Sequence, residues 1–372
     1  MPLLETVSVV LRLLAGCWLL WRVPLVGPPP RPRGLAAVVV PARDEATALP
    51  ALLGSLVPQL VPGDELVVVD DHSSDDTAGV AVSFGATVMR ASALAPGWTG
   101  KAAACWVGVQ ATSAEVLVFV DADVTLAPDG LDRILAEAAG AGGLLSIQPH
   151  HVTQRPYERL SGVFNVVGLM GSDVCTPLGD RLAPSGAFGP VLVTGRDDYD
   201  AAGGHAHPDV RGAVLDDVAL ARRYRALGLP VRVRGGKGVA TFRMYPDGLG
   251  SLAEGWSKNI AGGANATRPL TLMLVVAWLS LHIQATWWAV RFALTGDGPG
   301  DGPWLTAAAY GAVALQSAWM LRRVGRFGRG TAALFPLPLA FFLAVFARSL
   351  VLTFVRRKVR WKGREIAIDR AG

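Results

Sequence analysis

Three valine-rich runs, each separated from the next by stretches of helical periodicity, constrain the fold of this 372-residue chain more than any other feature. The runs are "LAAVVV", "ELVVVD" and "EVLVFVD", and the helical stretches are "ATALPALLGSL", "DTAGVAVSFG" and "GKAAACWVGVQA". Uninterrupted β-branched runs are typical of strands buried on both faces of a parallel sheet, and their alternation with helices is the βαβ pattern. The sequence therefore predicts an α/β fold over residues 35–265.

Acidic side chains follow two of these strands. Asp70 ends the second run and Asp71 follows it; Asp121 ends the third run, and Asp123 comes two residues later. Ligands of such sheets bind beyond the carboxyl ends of the strands, so we expect these carboxylates at one edge. In extended backbone Asp121 and Asp123 would face the same way, which suits a hard divalent cation completed by phosphate oxygens and water. A solvated acidic turn is the alternative for this pair.

A second acidic pair, Asp216 and Asp217, starts the predicted helix "DDVALARRYRALG". Carboxylates in the first turn of a helix are favoured by the helix dipole, so capping alone explains one of the two. The other is suited to act as a general base. Glycines at 186 and 189 would let the chain turn tightly beside a substrate.

Membrane segments are predicted at both ends of the chain. Hydrophobic residues make up 51% of the sequence and charged residues 17%, which is too apolar for an ordinary soluble enzyme. We predict an uncleaved membrane anchor at 1–26, a basic proline-rich linker at 27–34, membrane helices within 269–355 and a basic cytoplasmic tail at 356–372. Arginines concentrate beside the apolar segments, which indicates orientation in a bilayer and argues against nucleic-acid binding.

The topology of the last hundred residues depends on one apolar run. Pro269–Val290 and Trp304–Leu321 are long enough to span a bilayer, and Ala332–Val355 follows the basic "RRVGRFGRG". A third full span would place the basic tail outside, against the charge rule. We therefore favour a re-entrant or interfacial hairpin for this run, which leaves the α/β region and the tail on the cytoplasmic side of a multi-pass cell-membrane protein.

Cysteines and histidines carry little functional signal. The spacing of the cysteines is neither that of a disulfide framework nor that of a zinc site, so they are interpreted as reduced and structural. The histidines form no convincing zinc cluster and are interpreted as surface or pocket hydrogen-bonding groups. These residues are Cys17, Cys105, Cys175, His150, His151, His205 and His207.

Six motifs occur in the order seen in family 2 glycosyltransferases with the GT-A fold, and the chain resembles that family over residues 35–264. They are "VVVPARDEATALPALLGSL", "VVVDDHSSDDT", "GWTGK", "VFVDADV", "DDVALARR" and "EGWSKN". The "GWSKN" form, the trailing "RWKGR" and the C-terminal apolar segments are most similar to the lipid-modifying branch, which includes carotenoid, hopanoid-associated and ceramide glycosyltransferases.

The resemblance implies roles for particular residues. Asp217 would be the catalytic base, and Asp121 and Asp123 would hold Mg²⁺ or Mn²⁺ against the donor diphosphate. Asp75 and Asp76 would cap the next helix. The implied nucleotide-sugar-binding residues are Pro41, Arg43, Glu45, Asp70, Asp71, Lys101 and Asp121. Residues implied on the acceptor side, or in support of the site, are Asp216, Gly189, Trp256 and Lys258.

The function that the resemblance implies is inverting transfer of a hexose, glucose in the first instance, from a UDP-sugar to a lipid acceptor in the bilayer. Asp216-Asp217 departs from the Glu-Asp pair common in the family but keeps the second acid. The Gln-x-x-Arg-Trp pattern of polymerising members is absent, which disfavours a processive synthase. The alternatives are transfer to a polyprenyl phosphate, hopanoid, sterol or ceramide-like lipid, or a non-catalytic sugar-nucleotide-binding membrane protein.

Overall fold

The computed structural model describes residues 2–27, 33–140, 142–299, 303–356, 358–361 and 364–367. Residues 28–32 of the predicted linker, and residues 357, 362–363 and 368–372 of the predicted tail, lie outside this part. The chain divides into two compact units. The sheet unit comprises Pro24–His150, Gly186–Met244 and Arg356–Gly372, and the helical unit comprises Met1–Val23, His151–Ser185 and Tyr245–Val355.

Strands and helices alternate through the first half of the chain. The strands are β1 (Ala36–Ala42), β2 (Glu65–Asp70), β3 (Thr87–Arg90), β4 (Val116–Val120), β5 (Val124–Leu126), β6 (Leu144–Gln148), β7 (His150–Val152), β8 (Val191–Gly195), β9 (Val231–Gly235), β10 (Ala240–Phe242), β11 (Gly325–Arg326), β12 (Lys358–Trp361) and β13 (Arg364–Ala367). The helices are α1 (Pro2–Leu19), α2 (Leu49–Leu56), α3 (Thr77–Ser83), α4 (Gly100–Gln110), α5 (Gly130–Ala139), α6 (Gly162–Gly171), α7 (Arg196–Ala201), α8 (Pro208–Arg211), α9 (Asp216–Ala226), α10 (Leu249–Ala266), α11 (Pro269–Thr295), α12 (Trp304–Val324) and α13 (Pro336–Leu350).

The sheet unit is built on a seven-stranded sheet of order β3-β2-β1-β4-β8-β6-β9. The first four of these strands run parallel, β8 is antiparallel to both of its neighbours, and β9 is parallel to β6. The three valine-rich runs form β1, β2 and β4, which confirms the predicted α/β fold. A short antiparallel pair, β5 with β10, extends from the end of β4.

Side chains that alternate along the central strands supply two separate cores. Val38 and Val40 of β1 pack on one face with α2 and α5, whereas Val39 packs on the other face with α4 and α9. Both faces are buried because helices cover each of them, and for this reason the central strands carry apolar residues at successive rather than alternate positions. The polar groups that remain are concentrated where the strands end.

In the helical unit, two of the described helices are long and apolar enough to cross a membrane by length and composition, Pro269–Thr295 and Pro336–Arg356. Helices also form at the N-terminus and over Trp304–Val324, but neither is among those two. The N-terminal helix α1 packs along α11, where Arg12 donates to Ser280 at 3.3 Å. Arg12 is thus accommodated within the predicted anchor by a polar partner on a neighbouring helix.

From Pro336 onward the last apolar run is one continuous helix, so the predicted hairpin within it is wrong. Helix α13 begins at Pro336 and continues as a π-helix over Val351–Arg356. Pro336 and Pro338 interrupt nothing, because proline is tolerated in the first turn of a helix, where its missing N–H has no partner in any case.

Candidate active site

Asp121 and Asp123 lie in the turn between β4 and β5. Strand β4 ends at Val120, so a turn, rather than the extended backbone that the sequence suggests, presents the two carboxylates. Ala122 between them is buried in the core, and both aspartates are half-buried. The turn is fixed by the Asp121 N–H, which donates to the Pro190 carbonyl at 2.9 Å.

Lys101 lies in the first turn of α4, which is capped by the Thr99 hydroxyl. Its Nζ donates to Asp121 Oδ1 at 2.7 Å and to the Gly189 carbonyl at 3.5 Å. Burial alone would lower the pKa of Lys101, but the charges of Asp121 and Asp216 outweigh it and raise that pKa above its usual value. Lys101 is therefore an ammonium ion that contacts the carboxylate of Asp121. The sequence does not predict this contact.

Gly189 lies in close contact with two charged side chains. A Cβ at this position would stand 3.0 Å from Lys101 Nζ and 3.3 Å from Asp217 Oδ2. Asp217 is half-buried in the first turn of α9, and its Oδ1 accepts from the Val218 N–H at 2.9 Å. The structure thus brings Lys101, Asp121, Gly189 and Asp217 together, although they come from four separate segments of the chain.

Asp216 faces inward, toward a histidine. Its side chain is buried, and its Oδ2 lies 3.7 Å from His205 Nε2. The Tyr199 hydroxyl accepts the His205 backbone N–H at 2.9 Å, and it lies 2.9 Å from His205 Nδ1. The hydroxyl and Nδ1 share one hydrogen bond whose donor is set by the imidazole tautomer, and Nε2 is the ring nitrogen that faces Asp216.

His205 is a neutral, buried part of this arrangement. Burial lowers its pKa to about 4, and the edge-to-face ring of Phe119 lies 4.9 Å away between centroids. The sequence predicts a surface or pocket position for His205, whereas its side chain is buried in the structure, and nothing in the surrounding "GGHAHPD" signals an acidic partner eleven residues later.

The residues predicted to bind the nucleoside lie at the ends of β1 and β2. Arg43 Nη1 donates to the Asp71 carbonyl at 2.8 Å, and Asp70 Oδ1 accepts from the Ser73 N–H at 2.9 Å. The side chains of Asp70 and Asp71 are both buried. Pro41 lies in β1 beyond the last residue paired with β4, so its missing N–H leaves no gap in that ladder.

The loops after β1 and β2 are joined by reciprocal hydrogen bonds. The Asp44 N–H donates to Ser73 Oγ at 3.0 Å, and the Ser74 N–H donates back to Asp44 Oδ1 at 2.7 Å. The Glu45 N–H donates to Thr77 Oγ1 at 2.9 Å. Asp44 has φ of 51°, a left-handed conformation that Asp tolerates better than most residues. The two loops form one fixed edge above the sheet.

Asp75, rather than Asp76, makes the side-chain hydrogen bonds at the start of α3. Asp76 occupies the cap position, but its side chain accepts no capping hydrogen bond from the described residues. Asp75 Oδ1 accepts from the Thr77 N–H at 3.1 Å, and its Oδ2 accepts from the Ala46 N–H at 3.0 Å. The predicted capping role thus holds for one aspartate, which also links the two loops.

Trp256 and Lys258 belong to α10 in the helical unit. The Trp256 side chain is buried, its ring stacks on Phe164 at 4.7 Å, and its Nε1 donates to Ser161 Oγ at 3.1 Å. Lys258 is half-buried in the same helix. Trp256 thus has the packing of a core side chain within its own unit.

Comparison with known proteins identifies the family of the chain. The family model described as glycosyl transferase family 2 matches residues 37–159. A 4,4'-diaponeurosporenoate glycosyltransferase of Staphylococcus aureus (strain MRSA252) is 37% identical over 337 residues, which cover 90% of this chain and 88% of the relative. The protein of the same name from strain Newman is 36% identical over the same shares of the two chains.

Among solved structures, the mannosyltransferase PcManGT from Pyrobaculum calidifontis, in complex with GDP-Man and Mn²⁺, has a TM-score of 0.57. It is 19% identical in sequence, and the match covers 94% of this chain and 95% of that one. At this identity the likeness establishes the fold, whereas the longer sequence match establishes the family. The chain therefore belongs to glycosyltransferase family 2, and it is a glycosyltransferase with the GT-A fold.

Proposed function

We propose that the protein is a membrane-bound, metal-dependent, inverting glycosyltransferase that moves a hexose, glucose in the first instance, from a UDP-sugar to a membrane lipid such as a carotenoid acid or alcohol. The observation that carries this proposal is the cluster of Lys101, Asp121, Gly189 and Asp217 at one edge of the sheet. It places groups suited to a diphosphate, a cation and a nucleophile side by side.

The acidic turn after β4 fits a divalent cation. Carboxylate oxygens are the ligands that Mg²⁺ and Mn²⁺ prefer, and both Asp121 and Asp123 are partly accessible. Within the described residues, no group of three or more His, Cys, Asp or Glu could hold a metal. A pair of carboxylates suits a cation that also needs phosphate oxygens and water, and when bound it would neutralise the charge on the departing diphosphate.

The donor would lie along the fixed edge formed by the loops after β1 and β2. Asp70 and Asp71 are acceptors suited to the uracil N–H or to ribose hydroxyls, and Arg43 supports that edge through the Asp71 carbonyl. Pro41 and Glu45 line the start of the first loop. Because the loops are joined to each other before any ligand binds, the donor would meet an edge that needs little ordering.

The relatives' name suggests a carotenoid carboxylate as the acceptor. Its oxygen would attack the anomeric carbon from the face opposite the diphosphate, forming the ester C–O bond as the bond to the diphosphate breaks and its electron pair leaves with UDP. A carboxylate has no proton to lose at neutral pH. A hydroxyl acceptor would give its proton to Asp217, which stands beside Lys101 at Gly189.

Membrane attachment is supported by the apolar surface of the helical unit. Within each of the segments Pro269–Thr295 and Pro336–Arg356, only about a third of an apolar 18-residue stretch is buried within the protein. Leu3, Leu4 and Leu11 of α1 are also exposed. These surfaces suit a bilayer, and the positive-inside rule favours a sheet unit on its cytoplasmic side.

The test is transfer by the purified full-length protein in detergent, with UDP-glucose and either 4,4'-diaponeurosporenoate or the corresponding alcohol. We expect a hexose-sized mass increase on the lipid. Asp217→Asn should abolish transfer to the alcohol and retain measurable transfer to the carboxylate. Asp209→Asn, at an exposed carboxylate in α8, is the matched control and should change neither.

Two outcomes would contradict the proposal. Full activity of Asp217→Asn toward the alcohol would remove Asp217 from the mechanism. Binding of UDP-sugars without turnover on any lipid would favour the non-catalytic alternative. Mass spectra of lipid extracts from cells with and without the protein would show whether a polyprenyl phosphate, hopanoid, sterol or ceramide-like lipid carries the hexose instead.

A further inference from the structure

The contact between Lys101 and Asp121 has a consequence for metal binding. The Lys101 ammonium lies 2.7 Å from Asp121 Oδ1, the distance of a charge-assisted hydrogen bond. Asp121 is also one of the two carboxylates proposed to ligate a divalent cation. A metal cation that approaches this oxygen would come close to the positive charge of the ammonium. Two positive charges so close together repel each other strongly in a partly buried site.

We propose that Lys101 and the divalent cation compete for Asp121, and that the donor diphosphate ends the competition by accepting the displaced ammonium. Metal alone and nucleotide alone then bind weakly, and each strengthens the other. This inference rests on the proposed function, because it takes the metal ligands and the diphosphate from it. It adds that Lys101 couples the binding of the cation to the binding of the donor diphosphate.

The surroundings of Lys101 allow a short movement without loss of contact. Its Nζ already lies 3.5 Å from the Gly189 carbonyl, and Gly189 has no side chain to obstruct it. The butyl stem is anchored in the first turn of α4, so only the terminal atoms need to turn. The ammonium can therefore leave Asp121 while it remains at the same edge of the sheet.

Asp216 gives the displaced ammonium a second anionic neighbour. Its carboxylate acts electrostatically on Lys101, and its buried Oδ2 has no hydrogen-bond partner among the described residues. His205 Nε2 lies 3.7 Å from that oxygen, beyond hydrogen-bond range. We assign Asp216 as a positioning residue, which keeps Lys101 at the site when the metal occupies Asp121.

The experiment measures binding rather than turnover. Mn²⁺ affinity is measured from the electron paramagnetic resonance signal of free Mn²⁺, with and without UDP, and UDP affinity is measured calorimetrically, with and without Mn²⁺. The coupling is the factor by which one ligand raises the affinity for the other. The variants are Lys101→Met and Lys101→Arg, with Lys237→Met, at an exposed lysine, as the matched control.

We expect Lys101→Met to bind Mn²⁺ alone at least tenfold more tightly than the wild type and UDP alone at least tenfold more weakly, so that the coupling falls. Lys101→Arg keeps the charge and should retain most of the coupling, and Lys237→Met should match the wild type. Asp216→Asn should weaken UDP binding in the presence of Mn²⁺ more than in its absence.

If Lys101→Met bound Mn²⁺ with the affinity of the wild type, Lys101 would not compete with the metal for Asp121. If Asp216→Asn weakened UDP binding equally with and without Mn²⁺, Asp216 would not position Lys101. Failure of the proposed function would look different. In that case the wild type itself would bind no Mn²⁺ in the presence of UDP, or Asp123→Asn would bind it as well as the wild type does.

Discussion

Replacement of Gly189 by alanine tests the geometry of the proposed site most directly. The added Cβ would stand 3.0 Å from Lys101 Nζ and 3.3 Å from Asp217 Oδ2, whereas ordinary Cβ contacts begin near 3.4 Å. Both neighbours are ends of side chains and must give way by a few tenths of an ångström. The φ angle of Gly189 lies outside the left-handed region, so the backbone itself tolerates alanine.

The expected effect falls on activity rather than stability. A misplacement of about 1 Å in a reacting group costs on the order of 100-fold in rate, so a shift of a few tenths should lower kcat/KM about tenfold, or about 1.4 kcal/mol. The free energy of unfolding should change by less than about 0.5 kcal/mol, since no core atom moves. Initial rates at several UDP-glucose concentrations, together with thermal unfolding in the same detergent, separate the two quantities.

Gly195→Ala is the matched control for this measurement. Gly195 ends β8, the strand that follows Gly189, and a Cβ there meets nothing within 4 Å. The control should keep wild-type rates. If Gly189→Ala were as active as the wild type, or if both variants lost activity equally, Lys101 and Asp217 would not be arranged for catalysis as the structure indicates.

Three further predictions concern stability and metal dependence. His205 is buried in its neutral form, with a pKa of about 4 rather than 6.5. As the pH falls, His205 is therefore protonated in the unfolded chain before it is protonated in the folded protein. The free energy of unfolding should therefore fall by about 3 kcal/mol as the pH drops from 6.5 to 4, and unfolding of His205→Asn across that range should show a smaller loss. Asp64→Ala leaves the buried Arg33 without its main partner and should cost about 3 kcal/mol in urea unfolding, whereas Asp132→Ala, at an exposed carboxylate, should cost less than about 1 kcal/mol. Chelation should lower transfer at least 100-fold, with recovery on addition of Mn²⁺ in the wild type but not in Asp123→Asn; activity that survives EDTA would contradict metal dependence.

Local sequence pattern was sufficient to predict the strands that position the site. The runs that became β1, β2 and β4 contain uninterrupted apolar stretches because helices cover both faces of the sheet, so composition alone identifies them. The acids at their carboxyl ends could be located for the same reason. These are properties of short segments, and they do not depend on which strands become neighbours.

Contacts between distant segments could not be predicted in this way. The insertion of antiparallel β8 between β4 and β6 depends on pairing that no local period encodes. The Lys101–Asp121 contact and the position of His205 beside Asp216 follow from that insertion and from the loops around it. The hairpin predicted near Pro336 was wrong because proline in a first turn and proline within a helix look alike in sequence until the start of the helix is known.

The order of strands also determines when the sheet can be completed during synthesis. Strands β1 to β4 can pair as soon as they leave the ribosome, because each finds its neighbour among segments already made. The free edge of β4 stays unpaired until β8 is made, because β8 is its partner. Strand β6 is made earlier than β8, but it joins the sheet through β8 and therefore also stays unpaired until then. An unpaired strand edge favours aggregation while it waits. A ribosome pause before β8 has left the ribosome should therefore lower the yield of folded protein more than a pause after it has left.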